Sequence, residues 1–297
     1  MATRLQIAKP DIVKRFEVMP HVLKTSDIAE VLDQERSFWR LAKSTSLRDF
    51  LGFMHEKTPL KEVRFAFPNR KVMGHVWEDM PLLEVLQRLV DRSFYSHYTA
   101  VRIHGLTEQV PQTVFLNQEK RKSSTVYSNH PESFTQEVID AAFAQAPRES
   151  KNQITAGHQR IVLLESAYQA GLGITSSTVN WDGPRDLVLR HTTLERTLID
   201  IVVRPFYAGG VFEVAKAFEN AKDRGVSVNT LASMLKRMAF GYPYHQAIGY
   251  YLQRAGYKPS LVALFRQLPI ERDFYLTHAM DSTDYIAEWR LHVPQGF

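Results

Sequence analysis

Residues 60 to 77 read LKEVRFAFPNRKVMGHVW, and the first half of this stretch has an apolar side chain at every second position. That period is typical of a β-strand with one buried face. Pro68 and Asn69 then supply turn residues, and apolar residues return up to Trp77. We therefore predict a β-hairpin with a basic tip. The alternating residues of its first strand are Val63, Phe65 and Phe67.

Three predicted helices precede this hairpin. The first covers residues 9–18, and the second begins near Ser26, where Asp27 and Glu30 have the spacing of a capping box. The third follows Lys43, with Ser46 and Asp49 at the same spacing. Its apolar residues recur with a helical period; they are Leu47, Phe50, Leu51 and Met54. Three helices and a hairpin are the order of a winged helix-turn-helix, which we predict for residues 1–92.

The third helix begins with small polar and basic residues, as a helix that enters the major groove of DNA requires. Arg48 is expected to contact guanine, and the hydroxyls and the helix N-terminus suit phosphate oxygens. The hairpin tip is expected to meet the neighbouring DNA backbone or the minor groove. The same pattern is also typical of a solvated helix face or of a protein-interaction module. The predicted DNA-binding residues are Lys43, Ser44, Thr45, Arg48, Asn69, Arg70 and Lys71.

Composition and charge permit this function without deciding it. The chain has 297 residues, 44% of them hydrophobic, and a net charge of +5, which allows two domains and a mild attraction for polyanions. It has no cysteine, which excludes disulfides, thiolate zinc sites and cysteine nucleophiles. The first residues lack the apolar core of a signal peptide, and no stretch has the ~18 apolar residues of a membrane span. We predict a cytoplasmic protein, although a secreted bacterial protein can also lack cysteine.

A second domain of mixed α and β patterns is predicted for residues 93–297, so the fold class is α+β. Residues 147–157 are expected to form a polar loop, and residues 120–122 form a basic run. The predicted helices are 95–104, 135–146, 193–203, 210–221, 228–238 and 244–255. The predicted strands are 113–116, 160–164, 186–190 and 285–293.

Four short motifs follow one another along this domain. Residues 94–106 read FYSHYTAVRIHGL, and residues 192–203 read TTLERTLIDIVV. Gly209 and Gly210 then precede the helix VFEVAKAF, and GYYLQRAG follows at residues 249–256. In order and spacing these motifs resemble the AbiEi family of antitoxins. With the N-terminal domain, the resemblance covers roughly residues 10 to 260; the N-terminal domain and the segment 127–158 are longer than in the commonest members.

The resemblance implies a function and two partners. Members of this family are similar to repressors of their own operon, and they counteract a toxin with a nucleotidyltransferase-like fold. It therefore implies that this chain binds its own operator, as two copies on inverted repeats, and that the second domain as a whole neutralises a cognate toxin. No residue of the sequence identifies a toxin contact.

The residues of the 192–203 motif predict architecture rather than chemistry. Thr193 is expected to cap a helix, with Glu195 in its first turn, where negative charge is favoured. Arg196 and Asp200 are four residues apart, so we predict an ion pair, worth a few tenths of a kcal/mol if it is exposed. The buried stripe is Leu194, Leu198, Ile201 and Val202.

The motifs of several enzyme classes are absent from the sequence. There is no G-x-S-x-G elbow, no phosphate loop ending in Lys-Ser/Thr and no nucleotidyltransferase pattern, and His55-Glu56 lacks the second histidine of a zinc protease. His97 and His104 are predicted to be core or surface histidines, and residues 171–177, GLGITSS, a turn. An aromatic concentration of the kind that can stack on single-stranded bases is formed by Tyr242, Tyr244, Tyr250, Tyr251 and Tyr257. At helical spacing, however, Ile248, Tyr251 and Leu252 are predicted to pack in the core. We predict no enzyme, no cofactor and no metal ion.

Two alternatives remain open. The chain can be a free-standing winged-helix regulator whose second domain binds a ligand or another protein. Less favoured is a metal-dependent nucleic-acid enzyme with Asp182, Asp186 and Glu195 as metal ligands, since these carboxylates lack a recognisable spacing. The basic run 120–122 adds phosphate contacts in the first interpretation and is a solvated loop in the plainest one.

Overall fold

The computed structural model describes residues 3–122, 134–181, 183 and 185–297. The architecture is mixed α+β, with several sheets. The chain divides into two compact units, unit 1 over residues 1–92 and unit 2 over residues 93–297. No helix in the described part of the chain has the length and apolar character needed to cross a membrane.

Unit 1 has three helices, a hairpin and a closing helix. The helices are α1 (Arg4–Glu17), α2 (Thr25–Glu35), α3 (Leu47–Lys57) and α4 (Leu82–Leu89). The strands are β1 (Val22–Leu23), β2 (Leu60–Phe67) and β3 (Arg70–Trp77). They form an antiparallel sheet in the order β1-β3-β2, with Phe67 opposite Arg70 at the tip of the hairpin.

Aromatic residues join the helices of unit 1 to the base of the hairpin. Phe16 of α1 stacks on Trp77 of β3 with ring centroids 5.5 Å apart, and both side chains are almost fully buried. Trp39, which follows α2, stacks on Phe50 of α3 at 5.8 Å. Burial of such rings is the main source of stability in a small domain, because each removes a large apolar area from water.

The first two helices begin differently from the sequence prediction. Helix α1 starts before residue 9, because the hydroxyl of Thr3 accepts the backbone N–H of Gln6 and completes a capping box. The predicted pairing of Asp27 with Glu30 is wrong. Asp27 is the third residue of α2, and its carboxylate accepts the backbone N–H of Lys24 at 2.9 Å. Strand β1 and helix α4 were not predicted.

Unit 2 contains two sheets and seven α-helices in its described part. The helices are α5 (His97–Ile103), α6 (Gln136–Phe143), α7 (Leu194–Val203), α8 (Val211–Ala221), α9 (Val228–Met238), α10 (Tyr244–Arg254) and α11 (Pro259–Arg266). The strands are β4 (Phe94–Tyr95), β5 (Thr113–Glu119), β6 (Gln153–Ala156), β7 (Gln159–Ser166), β8 (Ile174–Val179), β9 (Leu187–Thr192), β10 (Phe274–Tyr275), β11 (Thr283–Ile286) and β12 (Leu291–Pro294).

The larger sheet of unit 2 is mixed. Its strand order is β6-β7-β5-β4-β9-β8, with β5 parallel to β7 and β4 parallel to β9. The smaller sheet has the order β10-β12-β11. A single hydrophobic core includes residues from helices α5 to α11 and side chains of both sheets. Strand β6 corrects the predicted polar loop, because Gln153–Ala156 pairs with β7 in an antiparallel ladder.

Candidate nucleic-acid interface

The connection between α2 and α3 is held by one arginine. Nη1 of Arg36 donates to the carbonyl oxygens of Ala42 at 3.1 Å and Thr45 at 3.0 Å. Its Nη2 donates to Asp33 at 3.3 Å. Two backbone acceptors on one guanidinium fix the path of the chain into α3, since the planar fork sets both directions. Arg36 could not be singled out from the sequence, because contacts with backbone carbonyls leave no mark in a residue pattern.

Helix α3 packs against the hydrophobic core of unit 1 through two fully buried residues. Phe50 and Met54, one turn apart, are 0% exposed, whereas Leu47, Leu51 and Phe53 are partly buried against the same core. Of the four residues in the predicted apolar stripe, two are therefore fully buried and the other two, Leu47 and Leu51, are only partly buried. The opposite side of the helix faces solvent.

The predicted capping box at the start of α3 is confirmed. The hydroxyl of Ser46 accepts the backbone N–H of Asp49 at 3.1 Å, and the Asp49 carboxylate accepts the Ser46 hydroxyl at 2.6 Å. These hydrogen bonds from Ser46, with a smaller effect of the neighbouring Arg48 charge, lower the pKa of Asp49. The carboxylate is thus ionised at neutral pH and engaged with the helix cap.

The residues predicted to contact DNA at the start of α3 lie together at one end of that helix. Lys43, Ser44 and Arg48 are exposed, and Thr45 is half-buried because its carbonyl is held by Arg36. All four are within six residues of one another along the chain. Of these four residues only Arg48 lies in the first turn of α3. The expectation that the helix itself begins with Lys43, Ser44 and Thr45 is wrong, because they precede the Ser46 cap in the α2–α3 connection.

The hairpin tip presents fewer groups than predicted. Asn69 and Lys71 are exposed, but Arg70 is partly buried. The flanking residues Phe67 and Val72 are 3% and 6% exposed. The tip is therefore not a freely projecting wing on all sides, and Asn69 and Lys71 are its most accessible polar groups.

Ion pairing separates the cations of unit 1 into two groups. Several are neutralised locally, such as Lys61 by Asp79 and Arg64 by Glu62. Within the described residues, four exposed cations near α3 and the hairpin tip form no ion pair. They are Arg40, Lys43, Arg48 and Lys71. Arg4, Lys9 and Lys14 of α1 are also unpaired there. An unpaired cation keeps its full charge available for a phosphate.

A histidine pair ties α3 to the sheet. Nε2 of His55 lies 3.1 Å from Nδ1 of His75, and Nε2 of His75 lies 3.1 Å from the hydroxyl of Thr25. Burial lowers the pKa of His75, the nearby His55 lowers it further, and Glu62 opposes this. A neutral His75 can therefore connect β3, α3 and the start of α2. In the sequence His55 stands out only as half of a zinc motif, and no local pattern indicates its contact with His75.

The architecture has a counterpart among solved structures. It is similar to the crystal structure of the RV2827C protein from Mycobacterium tuberculosis, with a TM-score of 0.58. The match covers 97% of this chain and 91% of that chain, at 14% sequence identity. At that identity the likeness concerns the fold alone. No protein-family model matches the chain, and no curated protein is significantly similar to it.

In unit 2 the 192–203 motif builds a buried charge network. Thr193 caps α7, and Nε of Arg196 donates to Asp200 at 2.8 Å. The predicted ion pair is therefore present, but it is buried, with Arg196 2% and Asp200 7% exposed. Nη1 of Arg196 also donates to the carbonyl of Leu172 at 2.7 Å and lies 4.0 Å from Glu119. These partners come from distant parts of the chain, so the motif holds the fold together.

The carboxylates considered as metal ligands have separate structural partners. Asp186 accepts the Asn180 amide at 3.1 Å, and Glu195 accepts the backbone N–H of Ser227 at 3.0 Å. Asp182 lies outside the described residues. Within the described ranges no group of three or more histidine, aspartate or glutamate side chains is placed to hold a metal ion.

The two histidines of the 94–106 motif form hydrogen bonds inside unit 2. His97 is buried, its Nδ1 lies 2.8 Å from the Ser96 hydroxyl, and burial lowers its pKa to about 3. Nε2 of His104 donates to the carbonyl of Thr192 at 2.8 Å. The expectation that these are satisfied core or surface histidines is confirmed.

The remaining motifs of unit 2 are mostly structural. Of the turn predicted for residues 171–177, only residues 171–173 form one, with positive φ at Gly171 and Gly173, whereas residues 174–177 belong to β8 and pair with β9. The predicted core residues Ile248, Tyr251 and Leu252 are buried, and Tyr244 is buried as well. The hydroxyl of Tyr257 donates to the carbonyl of Phe218 at 3.0 Å. The basic run 120–122 follows β5 and is exposed.

One concave feature lies beside α9 and α10. It is a cavity of about 170 Å³, lined by aromatic rings, aliphatic side chains, a lysine and a histidine. The residues with rings are Phe240, Tyr242, Tyr244 and His245. This volume is below the roughly 300–1,000 Å³ of usual ligand pockets.

Proposed function

We propose that this chain is a DNA-binding transcriptional repressor of its own operon, with unit 1 as a winged helix-turn-helix. The observation that carries the proposal is the element order α1-β1-α2-α3-β2-β3, closed by a three-stranded antiparallel sheet in the order β1-β3-β2. In this interpretation α2 and α3 are the helix-turn-helix, α3 is the recognition helix and the β2–β3 hairpin is the wing.

The charges of unit 1 support the same assignment. Arg48 and Lys43 lie at the N-terminal end of α3, exposed and without an ion pair in the described structure. That end of a recognition helix is the part nearest the base edges. We assign direct base contact to Arg48 and phosphate contact to Lys43, Ser44 and Thr45. Asn69 and Lys71, with a smaller part for Arg70, contact the DNA backbone from the hairpin tip.

We further propose that unit 2 binds a cognate toxin and that the protein is an antitoxin of AbiEi type in the cytoplasm. This part rests on the motifs at 94–106, 192–203 and 249–256, whose order resembles that family. It is tested by expressing a nucleotidyltransferase-like toxin from the neighbouring gene with and without this chain. The proposal requires growth to recover when the full chain is present, and continued growth arrest would oppose it.

The DNA assignment is tested by a mobility-shift titration of the full chain on its own upstream duplex. Loss of a bidentate arginine contact costs about 1–3 kcal/mol, so Arg48→Ala should weaken binding by at least about fivefold. The variant Lys43→Ala/Lys71→Ala should weaken binding to all duplexes alike, since phosphate contacts carry no sequence information. The matched control is Arg237→Ala, which removes an exposed, unpaired arginine from α9. Equal affinity of the wild type and the three variants for the upstream duplex would exclude α3 as the DNA-recognition helix.

A second candidate is favoured by the cavity beside α9 and α10, which suits a regulator that responds to a small aromatic ligand. A change in operator affinity on adding such ligands, abolished by Ala239→Phe in the cavity wall, would support it. The absence of any such change across an aromatic ligand panel would oppose it.

A further inference from the structure

Gly52 occupies the middle of α3, where a glycine has no structural reason within this chain. Glycine is the least favourable helix residue after proline, because it loses the most backbone freedom on folding. A glycine is required where φ is positive or where a neighbouring atom lies too close for a Cβ atom. Gly52 does not have a positive φ. A Cβ built on it would meet no atom within 4 Å.

Two other glycines show what an internal reason looks like. A Cβ at Gly74 would overlap the side chain of Leu89 and lie 2.9 Å from the carbonyl oxygen of Leu23. A Cβ at Gly249 would overlap the ring of Trp289. Both glycines are required by close packing inside their own unit. Gly52 differs from both, since no contact in the described part of the chain requires a glycine there.

The position of Gly52 on α3 shows which side of the helix it occupies. Helical residues are about 100° apart around the axis, so Gly52 is roughly opposite the midpoint of Phe50 and Met54. Those two side chains are fully buried. Gly52 is therefore the outermost residue of α3. By the same spacing the exposed residues Arg48 and Glu56 lie one turn before and one turn after Gly52, whereas His55 is turned toward His75 of the sheet.

The charges around Gly52 indicate which partner approaches. Arg48 and Lys43 are exposed cations without an ion pair in the described structure. The nearest carboxylates are engaged: Asp49 with Ser46, and Glu56 with Lys57 at 2.6 Å. The large apolar neighbours Leu51 and Phe53 pack inward against the core. A surface of this kind suits a polyanion rather than an apolar protein partner.

We propose that Gly52 is the point of closest approach between α3 and the base-pair edges of the major groove. This inference rests on the proposed DNA-binding function of unit 1. Without a side chain at the outermost position, the helix backbone sits deep in the groove. Arg48 then reaches the bases from one turn away. A Cβ at residue 52 lifts the helix and withdraws Arg48 from its contact.

The test uses Gly52→Ala and Gly52→Leu in the full chain, because both residues favour a helix more than glycine does. Each variant should raise the thermal midpoint of unit 1, Gly52→Ala by about 4–8 °C. Each should nevertheless bind the upstream duplex more weakly, by at least tenfold for alanine and more for leucine. Glu56→Ala is the control, since it shortens an exposed side chain on the same helix and should leave binding intact or improved.

The outcomes separate this inference from the function on which it rests. Failure of the wild type to prefer its own upstream duplex removes the proposed function. Wild-type binding with equal affinity in both Gly52 variants overturns the inference and leaves the function in place. A lowered thermal midpoint in Gly52→Ala reveals an internal reason for glycine and also overturns it. Intact DNA binding with loss of toxin neutralisation assigns this face to a protein partner, and the inference is again wrong.

Discussion

Replacing Arg196 by methionine removes the cation that is hydrogen-bonded to Asp200 in the buried network of unit 2. Methionine keeps the length of the side chain but cannot pair with Asp200 or donate to the carbonyl of Leu172. Asp200 Oδ2 and Glu119 Oε1 are buried and already lack a hydrogen-bond partner. The variant therefore leaves the buried Asp200 carboxylate without its hydrogen-bonded cation, and it removes the positive charge 4.0 Å from Glu119.

The expected loss is large compared with the stability of a domain. Breaking a buried ion pair by removing one partner costs about 3–5 kcal/mol, and an unsatisfied backbone carbonyl adds about 1 kcal/mol or more. Typical domains have about 5–15 kcal/mol in total. Arg196→Met should therefore remove a major part of the free energy of unfolding of unit 2.

Lowering the pH should restore part of the stability that Arg196→Met loses. Burial already raises the pKa of Asp200, and Arg196 acts against that rise. Without Arg196 the pKa of Asp200 rises further above its unfolded value. A carboxyl with a raised pKa destabilises the fold at high pH and ceases to do so as pH falls through that value. The deficit of Arg196→Met relative to wild type should therefore shrink between pH 7.5 and pH 5.

Denaturant unfolding at both pH values measures these effects, with separate transitions fitted where the units unfold independently. Arg196→Met/Asp200→Leu should recover part of the loss, because it replaces both charges with apolar groups. Arg237→Met, on the exposed face of α9, should change stability by less than about 0.5 kcal/mol. A loss below about 1 kcal/mol in Arg196→Met, or a deficit that grows as pH falls, would refute the reasoning about this network.

Three further substitutions test other parts of the fold. Burial lowers the pKa of His97 to about 3. The free energy of unfolding of the wild type should therefore decrease as the pH falls below about 6.5, and the loss due to this residue is about 2 kcal/mol at pH 5. His97→Asn, which tolerates the positive φ of this position, should flatten that dependence in pH-resolved denaturation; an unchanged slope would contradict the assignment. Gly249→Ala should lower the stability of unit 2 by about 1–3 kcal/mol by overpacking against Trp289; an unchanged thermal midpoint would contradict it. Ser46→Ala should cost unit 1 about 1 kcal/mol through loss of the α3 cap, measured by urea unfolding, whereas no loss would mean that the cap is dispensable.

Elements with local signals were predictable from the sequence. The bounds of α9 match the prediction of 228–238, because Ser227 caps its start and Ala239 ends it in the left-handed region. The α3 cap and the period-two pattern of β2 were equally readable. Strand β1 has two residues, too few for any period to show. Helix α11 begins at a proline without a side-chain cap and was missed.

Features that depend on distant partners were not predictable. The spacing of Arg196 and Asp200 predicts a pair, but only the placement of Glu119 and Leu172 makes it a buried one. The contacts of Arg36 and the pairing of His55 with His75 link side chains to groups up to 20 residues away. The exposed cations at the start of α3 were predictable, because polar residues before an apolar helical stripe are a local signal.

The central claim is that unit 1 reads duplex DNA, and the affinity of the full chain as a function of salt tests it most directly. Fluorescence anisotropy would compare a labelled upstream duplex with an unrelated duplex of equal length between 50 and 200 mM salt. If four unpaired cations, Arg40, Lys43, Arg48 and Lys71, each neutralise one phosphate, log affinity should fall against log salt with a slope of about −3 to −4. We expect that slope together with a preference for the upstream duplex. A flat salt dependence, or equal affinity for both duplexes at every salt concentration, would contradict the account.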